Sequence, residues 1–188
     1  MRVYVIRHGE SQTNLEQKWT GWMDVPLTEK GIQDAKKAGR LLQGVEFDKV
    51  YTSDLSRAMK TAENAIPGCS YETTPLLREI NVGSLAGMPL STITPEQRAR
   101  VPQLGYSEFN GETMEEFQSR VAGFMEKLES LDCETVAAFT HAGFLRGMLD
   151  AVVGTYLPRA HVCCENCTVA IFQYTGGVWK LHSWINLM

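Results

Sequence analysis

Two short apolar runs, Val3 Tyr4 Val5 Ile6 and Val136 Ala137 Ala138 Phe139 Thr140, each end on a histidine with glycine close behind it. Runs of this length and composition read as buried strands. The first leads into Arg7 His8 Gly9 Glu10 Ser11, the second into His141 Ala142 Gly143. A strand that ends by presenting a histidine beside an arginine, with glycine freeing the turn, places a nucleophile-capable imidazole in an anion-binding corner. Two such exits in one chain point to phosphoryl chemistry.

Between these runs, strand-like and helix-like segments alternate, which calls for an α/β layer architecture with a largely parallel sheet. Residues 2–7 read as the first strand. Thr28 is placed to cap a helix reaching about Leu42, with Ile32, Ala35, Ala38 and Leu41 or Leu42 on one face and Gly44 beyond its end. Residues 47–52 read as a second strand, and Ser53 or Asp54 as the cap of a helix through Ala65, ended by Pro67 and Gly68. Residues 76–79 read as a short extended segment that closes on Glu79. Thr113 and Glu116 have capping-box spacing at the start of the longest helix, whose buried stripe is Phe117, Val121, Phe124, Met125 and Leu128. A helix from about Gly143 to Val153 follows the central strand. Residues 167–174 and 178–185, separated by Gly176 Gly177, read as a hairpin.

At 188 residues the chain fits a single domain, residues 1–188, with no linker or repeat. Its formal net charge of -4 and the absence of a basic stripe argue against a nucleic-acid partner. No apolar run is long enough to span a bilayer and no secretory leader precedes the first strand, so a cytoplasmic protein without a membrane partner is expected. Five cysteines in such a chain favour free thiols over a disulfide framework. Cys163, Cys164 and Cys167 cluster, but only His161 stands near them, so structural zinc is not expected, and Cys167 reads as a small core hydrophobe. His161 and His182 read as structural.

Residues 83–111 break the pattern. They carry Pro89, Pro95 and Pro102 among polar turns, with only residues 95–100 helical in character. Such an excursion reads as a lid or binding segment, in which Arg98, Arg100, Tyr106 and Phe109 are the candidates for contact with a leaving group.

In open α/β sheets ligands gather at the carboxyl ends of the strands. Arg7 and His8 after the first strand, Arg57 beyond Ser53 and Asp54 after the second, and His141 after the central one are all directed to that edge, and Glu79 adds a carboxylate. Taken singly, Arg57 reads equally as a surface helix residue, Glu79 as a partner of Arg78, and Asn14 as a turn former. Taken in order they resemble the histidine phosphatase superfamily, the phosphoglycerate-mutase-like proteins, along essentially the whole chain. Arg7 His8 Gly9 matches the signature block. Asn14 and Trp19 Thr20 Gly21 Trp22 with Asp24 match the next, and Tyr51 to Ala58 the block with the second phosphate arginine. Leu77 Arg78 Glu79 Ile80 matches the acid block, and Thr140 His141 Ala142 Gly143 the second-histidine block.

The resemblance implies a three-layer α/β/α fold with a mostly parallel central sheet and a small lid insertion. It also implies that His8 attacks phosphorus to form a phosphohistidine, that Arg7, Arg57 and His141 hold the phosphoryl oxygens, and that Glu79 serves as acid and then base. Asn14, Thr20, Gly21 and Ala142 complete the phosphate- and substrate-binding set. No metal or other cofactor is implied, because paired guanidiniums suit the equatorial oxygens of a phosphoryl group. The short span from Glu79 to His141, with Asn81 Val82 Gly83 after the acid, resembles the small phosphatase branch, which includes alpha-ribazole phosphatases. A small phosphorylated metabolite is then the expected partner. A phosphoglycerate mutase and a non-catalytic phospho-ligand-binding protein are the alternatives, the second disfavoured because nucleophile and acid are both present.

Overall fold

The computed structural model describes residues 1–158 and 161–187. Six strands, β1 (Arg2–Arg7), β2 (Lys49–Thr52), β3 (Glu72–Thr73), β4 (Thr135–Thr140), β5 (Val169–Thr175) and β6 (Val178–Ile185), form one mixed sheet in the order β3-β2-β4-β1-β5-β6. The pairs from β3 to β1 are parallel, whereas β5 runs antiparallel to β1 and pairs with β6 as the hairpin expected from its two glycines. Parallel strands carry their carboxyl ends to one edge, so β1, β2 and β4 all deliver their following residues to the same place.

Side-chain alternation along the strands divides the core into two layers. Val3 and Val5 of β1, Val136 and Ala138 of β4 and Phe172 of β5 pack with Phe124, Phe144, Leu145 and Met148. These come from the helices α5 (Met114–Glu129) and α6 (Ala142–Val153). Tyr4, Ile6, Ala137 and Phe139 face the other way, against Ala35, Ala38, Leu42, Ala62 and Ala65. That layer is built by α2 (Glu29–Leu41) and α3 (Ser56–Ala65). The result is the three-layer α/β/α arrangement with a mostly parallel sheet.

The capping residues explain several boundaries. Thr28 Oγ1 accepts the Gly31 N–H at the start of α2, and Thr113 and Glu116 form a reciprocal capping box at the start of α5. For α3 the expected cap is wrong. Its N-cap is Leu55, which supplies no side-chain bond, because Asp54 is engaged by Arg78 and Ser53 Oγ is held by the Leu55 N–H and His141. Asp24, remote in sequence, accepts the Ser56 N–H at 2.8 Å instead. Residues 76–79 are also not uniformly extended: Thr74 and Pro75 start a single tight turn over Pro75–Leu77, after which Arg78 is extended.

Short elements also differ from the sequence reading. A one-turn helix, α1 (Gln12–Leu15), follows the first strand, and α4 (Pro95–Leu104) runs past Arg100 with Pro102 inside it. β2 begins at Lys49 rather than Phe47, and β5 at Val169 rather than Cys167, whose positive φ of 60° is incompatible with a strand. Among the described residues no helix is long and apolar enough to cross a membrane.

Candidate active site

The carboxyl ends of β1, β2 and β4 surround one cavity of about 100 Å³. Arg7, His8, Arg57 and Glu79 line it, as do Asn14, Thr20, Gly21 and Ala142. His141 lies directly behind, fully buried, its ring centroid 5.1 Å from that of His8 in an edge arrangement. All nine residues singled out in the sequence therefore come together.

His8 is held by its own neighbour. Nδ1 donates to the Gly9 carbonyl oxygen at 2.6 Å, and a carbonyl can only accept, so the proton of the neutral ring is on Nδ1 and the lone pair on Nε2. Burial first, and then the charges of Arg57 and Arg7, hold its pKa well below the ordinary histidine value of 6.5. The ring is thus neutral at pH 7, with a nucleophilic nitrogen free. The Asn166 amide and the Cys167 N–H both bond the His8 carbonyl oxygen, at 3.1 and 3.2 Å, and so fix the backbone on which the ring is mounted.

The two guanidiniums are anchored through backbone carbonyls. Arg7 Nη1 donates to Cys164 O at 2.6 Å, while Arg57 donates from Nη1 to Met23 O and from Nη2 to Gly21 O, both at 2.9 Å. Arg57 is 1% exposed, which excludes the surface-helix reading. Burial lowers its pKa to about 10, opposed by Glu79 and Asp24, so it stays cationic at pH 7. The Nε atoms of both arginines are buried without a partner. Both residues line the cavity, so an anion bound there would meet two guanidinium-bearing side chains.

His141 Nε2 lies 2.9 Å from Ser53 Oγ, and its Nδ1 is buried without a partner. Burial first, then Arg57, His8, Arg120 and Arg7, keep this ring neutral too. The sequence marks Ser53 only as a helix cap; its position one residue beyond β2 is what carries it to the second histidine.

Glu79 accepts the Ile80 N–H at Oε1 and the Gly143 N–H at Oε2, at 2.9 and 3.2 Å, so the first turn of α6 carries the carboxylate. It does not pair with Arg78, which is bidentate to Asp54 and stacked 4.9 Å over Trp22. Gly21 is required by geometry: its φ is +51°, and a Cβ there would stand 2.7 Å from Val82 Cγ2. Asn14 Oδ1 accepts from the Ser11 N–H and the Asn166 amide, and Thr20 shares a 2.6 Å hydroxyl contact with Thr13. Both side chains are oriented by neighbours at the cavity wall.

Of the four lid candidates only Tyr106 reaches the cavity. Arg98 donates to Leu90 O and stacks over Trp19, Arg100 pairs with Glu108, and Phe109 packs on the core. Lys18 and Arg146 line the cavity unannounced. Arg146 stands four residues beyond Ala142, one helical turn along the same face, so helix periodicity carried the signal. Lys18 and Asn166 had none. His161 and His182 are exposed and outside the cavity. Cys167 is buried beside Tyr4 and Ile6 as a core residue, with burial pushing its thiol up to about 12. Among the described residues no group of three or more His, Cys, Asp or Glu could hold a metal ion.

The model of the histidine phosphatase superfamily, branch 1, matches residues 3–187. The chain belongs to this superfamily. Among its relatives is a probable phosphoglycerate mutase, GpmB, of Cronobacter sakazakii, 29% identical over 98% of this chain and 90% of that protein. A phosphoglycerate mutase from Thermus thermophilus superposes with a TM-score of 0.77 at 29% identity over the full length of both chains. A putative alpha-ribazole-5'-P phosphatase from Escherichia coli gives a TM-score of 0.83 at 25% identity, covering 99% of this chain and 96% of its own. Phosphatases and mutases of the superfamily both act through phosphohistidine.

Proposed function

We propose that this histidine phosphatase superfamily member is a metal-independent phosphatase that hydrolyses small phosphate monoesters through a phosphohistidine at His8. The observation that carries the reading is a neutral His8, its Nε2 lone pair free, sharing one cavity with the buried Arg57 and the half-buried Arg7.

In the first half-reaction His8 Nε2 attacks phosphorus, the P–N bond forms as the ester P–O bond breaks, and Glu79 delivers a proton to the departing oxygen. Arg7, Arg57 and His141 hold the equatorial oxygens as charge shifts among them. The positive charge that appears on the His8 ring is stabilised through the Nδ1–H bond to Gly9 O. In the second half-reaction Glu79 takes a proton from water, the water oxygen attacks phosphorus, and the P–N bond breaks to return its electron pair to Nε2. Asn14, Thr20, Gly21 and Ala142 shape the phosphate end of the cavity. The substrate on this reading is a small phosphorylated metabolite of the cytoplasm, with no nucleic acid or membrane involved.

A mutase must shield the phosphohistidine from water under a cationic cover while a bisphosphate reorients. Here the lid spends Arg98 on Leu90 and Trp19 and Arg100 on Glu108, which supports hydrolysis. The mutase reading is favoured by the names of the relatives; Lys18 and Arg146 stand at the cavity wall but are themselves engaged, Lys18 by Glu16 and Arg146 by Val162 O.

The test is acid-free denaturing quench after brief exposure to a phosphorus-labelled monoester in chelator, followed by mapping of the label. Covalent label on His8 with steady phosphate release supports the proposal. Ligand retained without label identifies a binding module, and activity that returns only with added metal contradicts the metal-independent reading.

A further inference from the structure

Glu79 is mounted on a segment that one buried ion pair holds in place. Arg120 of α5 and Glu112, just before that helix, form a bidentate pair with Nε to Oε1 and Nη2 to Oε2 both at 2.8 Å, their side chains only 12% and 10% exposed. The remaining donors of the same guanidinium go to backbone: Nη1 to Leu76 O at 2.9 Å and to Arg78 O at 2.7 Å, and Nη2 to Glu79 O at 3.1 Å. All five N–H groups that arginine possesses are used.

The choice of carbonyls matters. Arg78 O belongs to the peptide before the Glu79 Cα and Glu79 O to the peptide after it, so one guanidinium fixes both planes that aim the carboxylate. Trp22 Nε1 reinforces the second at 2.6 Å, and Glu112 Oε2 accepts the Asn81 N–H at 2.9 Å, fixing the next peptide along. Glu112 is also where the lid rejoins the body, for its carbonyl accepts from Tyr106 N at 2.8 Å. A buried ion pair is weak evidence for stability alone. Its value here is geometric, because a reacting group displaced by about 1 Å can lose about 10²-fold in rate.

We propose that Arg120, locked by Glu112, is a positioning residue for Glu79, setting the acid against the leaving oxygen without touching substrate itself. This rests on the assignment of Glu79 as general acid. Lysine at this position keeps the charge but offers three donors from one point instead of five in a planar fork.

The experiment compares kcat/KM for alkyl and aryl phosphates in wild type, Glu79→Gln, Arg120→Lys and the double variant, because kcat/KM reports the step in which the leaving group departs. For Arg120→Lys the expected result is an alkyl loss of about 10–100-fold with the aryl value changed less than about threefold, smaller than the alkyl loss in Glu79→Gln. In the double variant Arg120→Lys should add less than about twofold on the alkyl ester, since a residue that acts through Glu79 has nothing left to position. Glu112→Gln, which keeps the shape of the partner, provides the second variant should Arg120→Lys fail to fold, and is expected to shift alkyl over aryl in the same direction. Equal losses on both esters, or full additivity with Glu79→Gln, would overturn the positioning role. If Glu79→Gln itself shows no leaving-group dependence, the acid assignment falls and the proposal with it; if it does and the Arg120 and Glu112 variants do not, the proposal alone falls.

Discussion

The carboxylate of Glu79 rests against the backbone of Gly143: Oε2 accepts the Gly143 N–H at 3.2 Å, and a Cβ added to that glycine would stand only 2.0 Å from Oε1. The first turn of α6 thus both supplies a donor to the carboxylate and leaves the space it occupies. Any side chain at residue 143 must push the carboxylate away.

Gly143→Ala is therefore expected to reduce kcat/KM for alkyl phosphates by about 10–100-fold, through displacement of the acid, while aryl esters lose much less. The helix itself favours alanine over glycine by about 1 kcal/mol, so α6 should form normally. Steady-state kinetics with both ester types, alongside circular dichroism, checks this; unchanged alkyl turnover would show that Glu79 does not depend on the contact.

The two buried histidines make stability depend on pH. His8 and His141 are both held well below 6.5 in the folded chain, whereas the unfolded chain binds their protons near 6.5. As pH falls through 6.5 the unfolded state takes up protons that the folded state refuses, so stability is full above that value and is lost below it, by up to about 1.4 kcal/mol per histidine per pH unit. Asp34 and Asp54, whose pKa values are lowered by Lys30 and Lys37 and by Arg78, lose their contributions only below about pH 4 and do not confound the window. Urea unfolding between pH 7 and 5.5 should show the decline, and His141→Gln should remove about half of the slope. A flat profile would mean that both rings are solvated.

Arg57 is tied to Met23 O and Gly21 O, and lysine cannot reproduce that fork. Arg57→Lys is expected to cost about 1.5–3 kcal/mol of stability and about 10²-fold in kcat. Denaturant melts and turnover measured on one preparation test both halves. Loss of stability with intact turnover would remove Arg57 from the phosphate site and leave it as a scaffold residue.

Five of the six strands, the helices α2, α3, α5 and α6 and the nine singled-out site residues are legible because buried strands and amphipathic helices leave periodic patterns, and because parallel strands bring their carboxyl ends together whatever lies between; the two-residue β3 is too short to leave a pattern. What escaped were interactions made across long sequence separations. Asp24 caps α3 from another loop, which freed Ser53 for His141 and Asp54 for Arg78. Asn166 braces His8 from beyond the fourth strand, and Arg120 collects carbonyls more than forty residues away. Arg98 and Arg100 show the reverse error: cations in a lid need not face the cavity when an aromatic ring or a carboxylate nearby offers a partner.

Hydrolysis by way of His8 is tested most directly by following, in one preparation with chelator present, phosphate release from monoesters and the interconversion of 3- and 2-phosphoglycerate with bisphosphoglycerate supplied. Water should reach the phosphohistidine under so small a lid, so release is expected to dominate. Interconversion much faster than release would contradict the phosphatase assignment and make this chain a mutase.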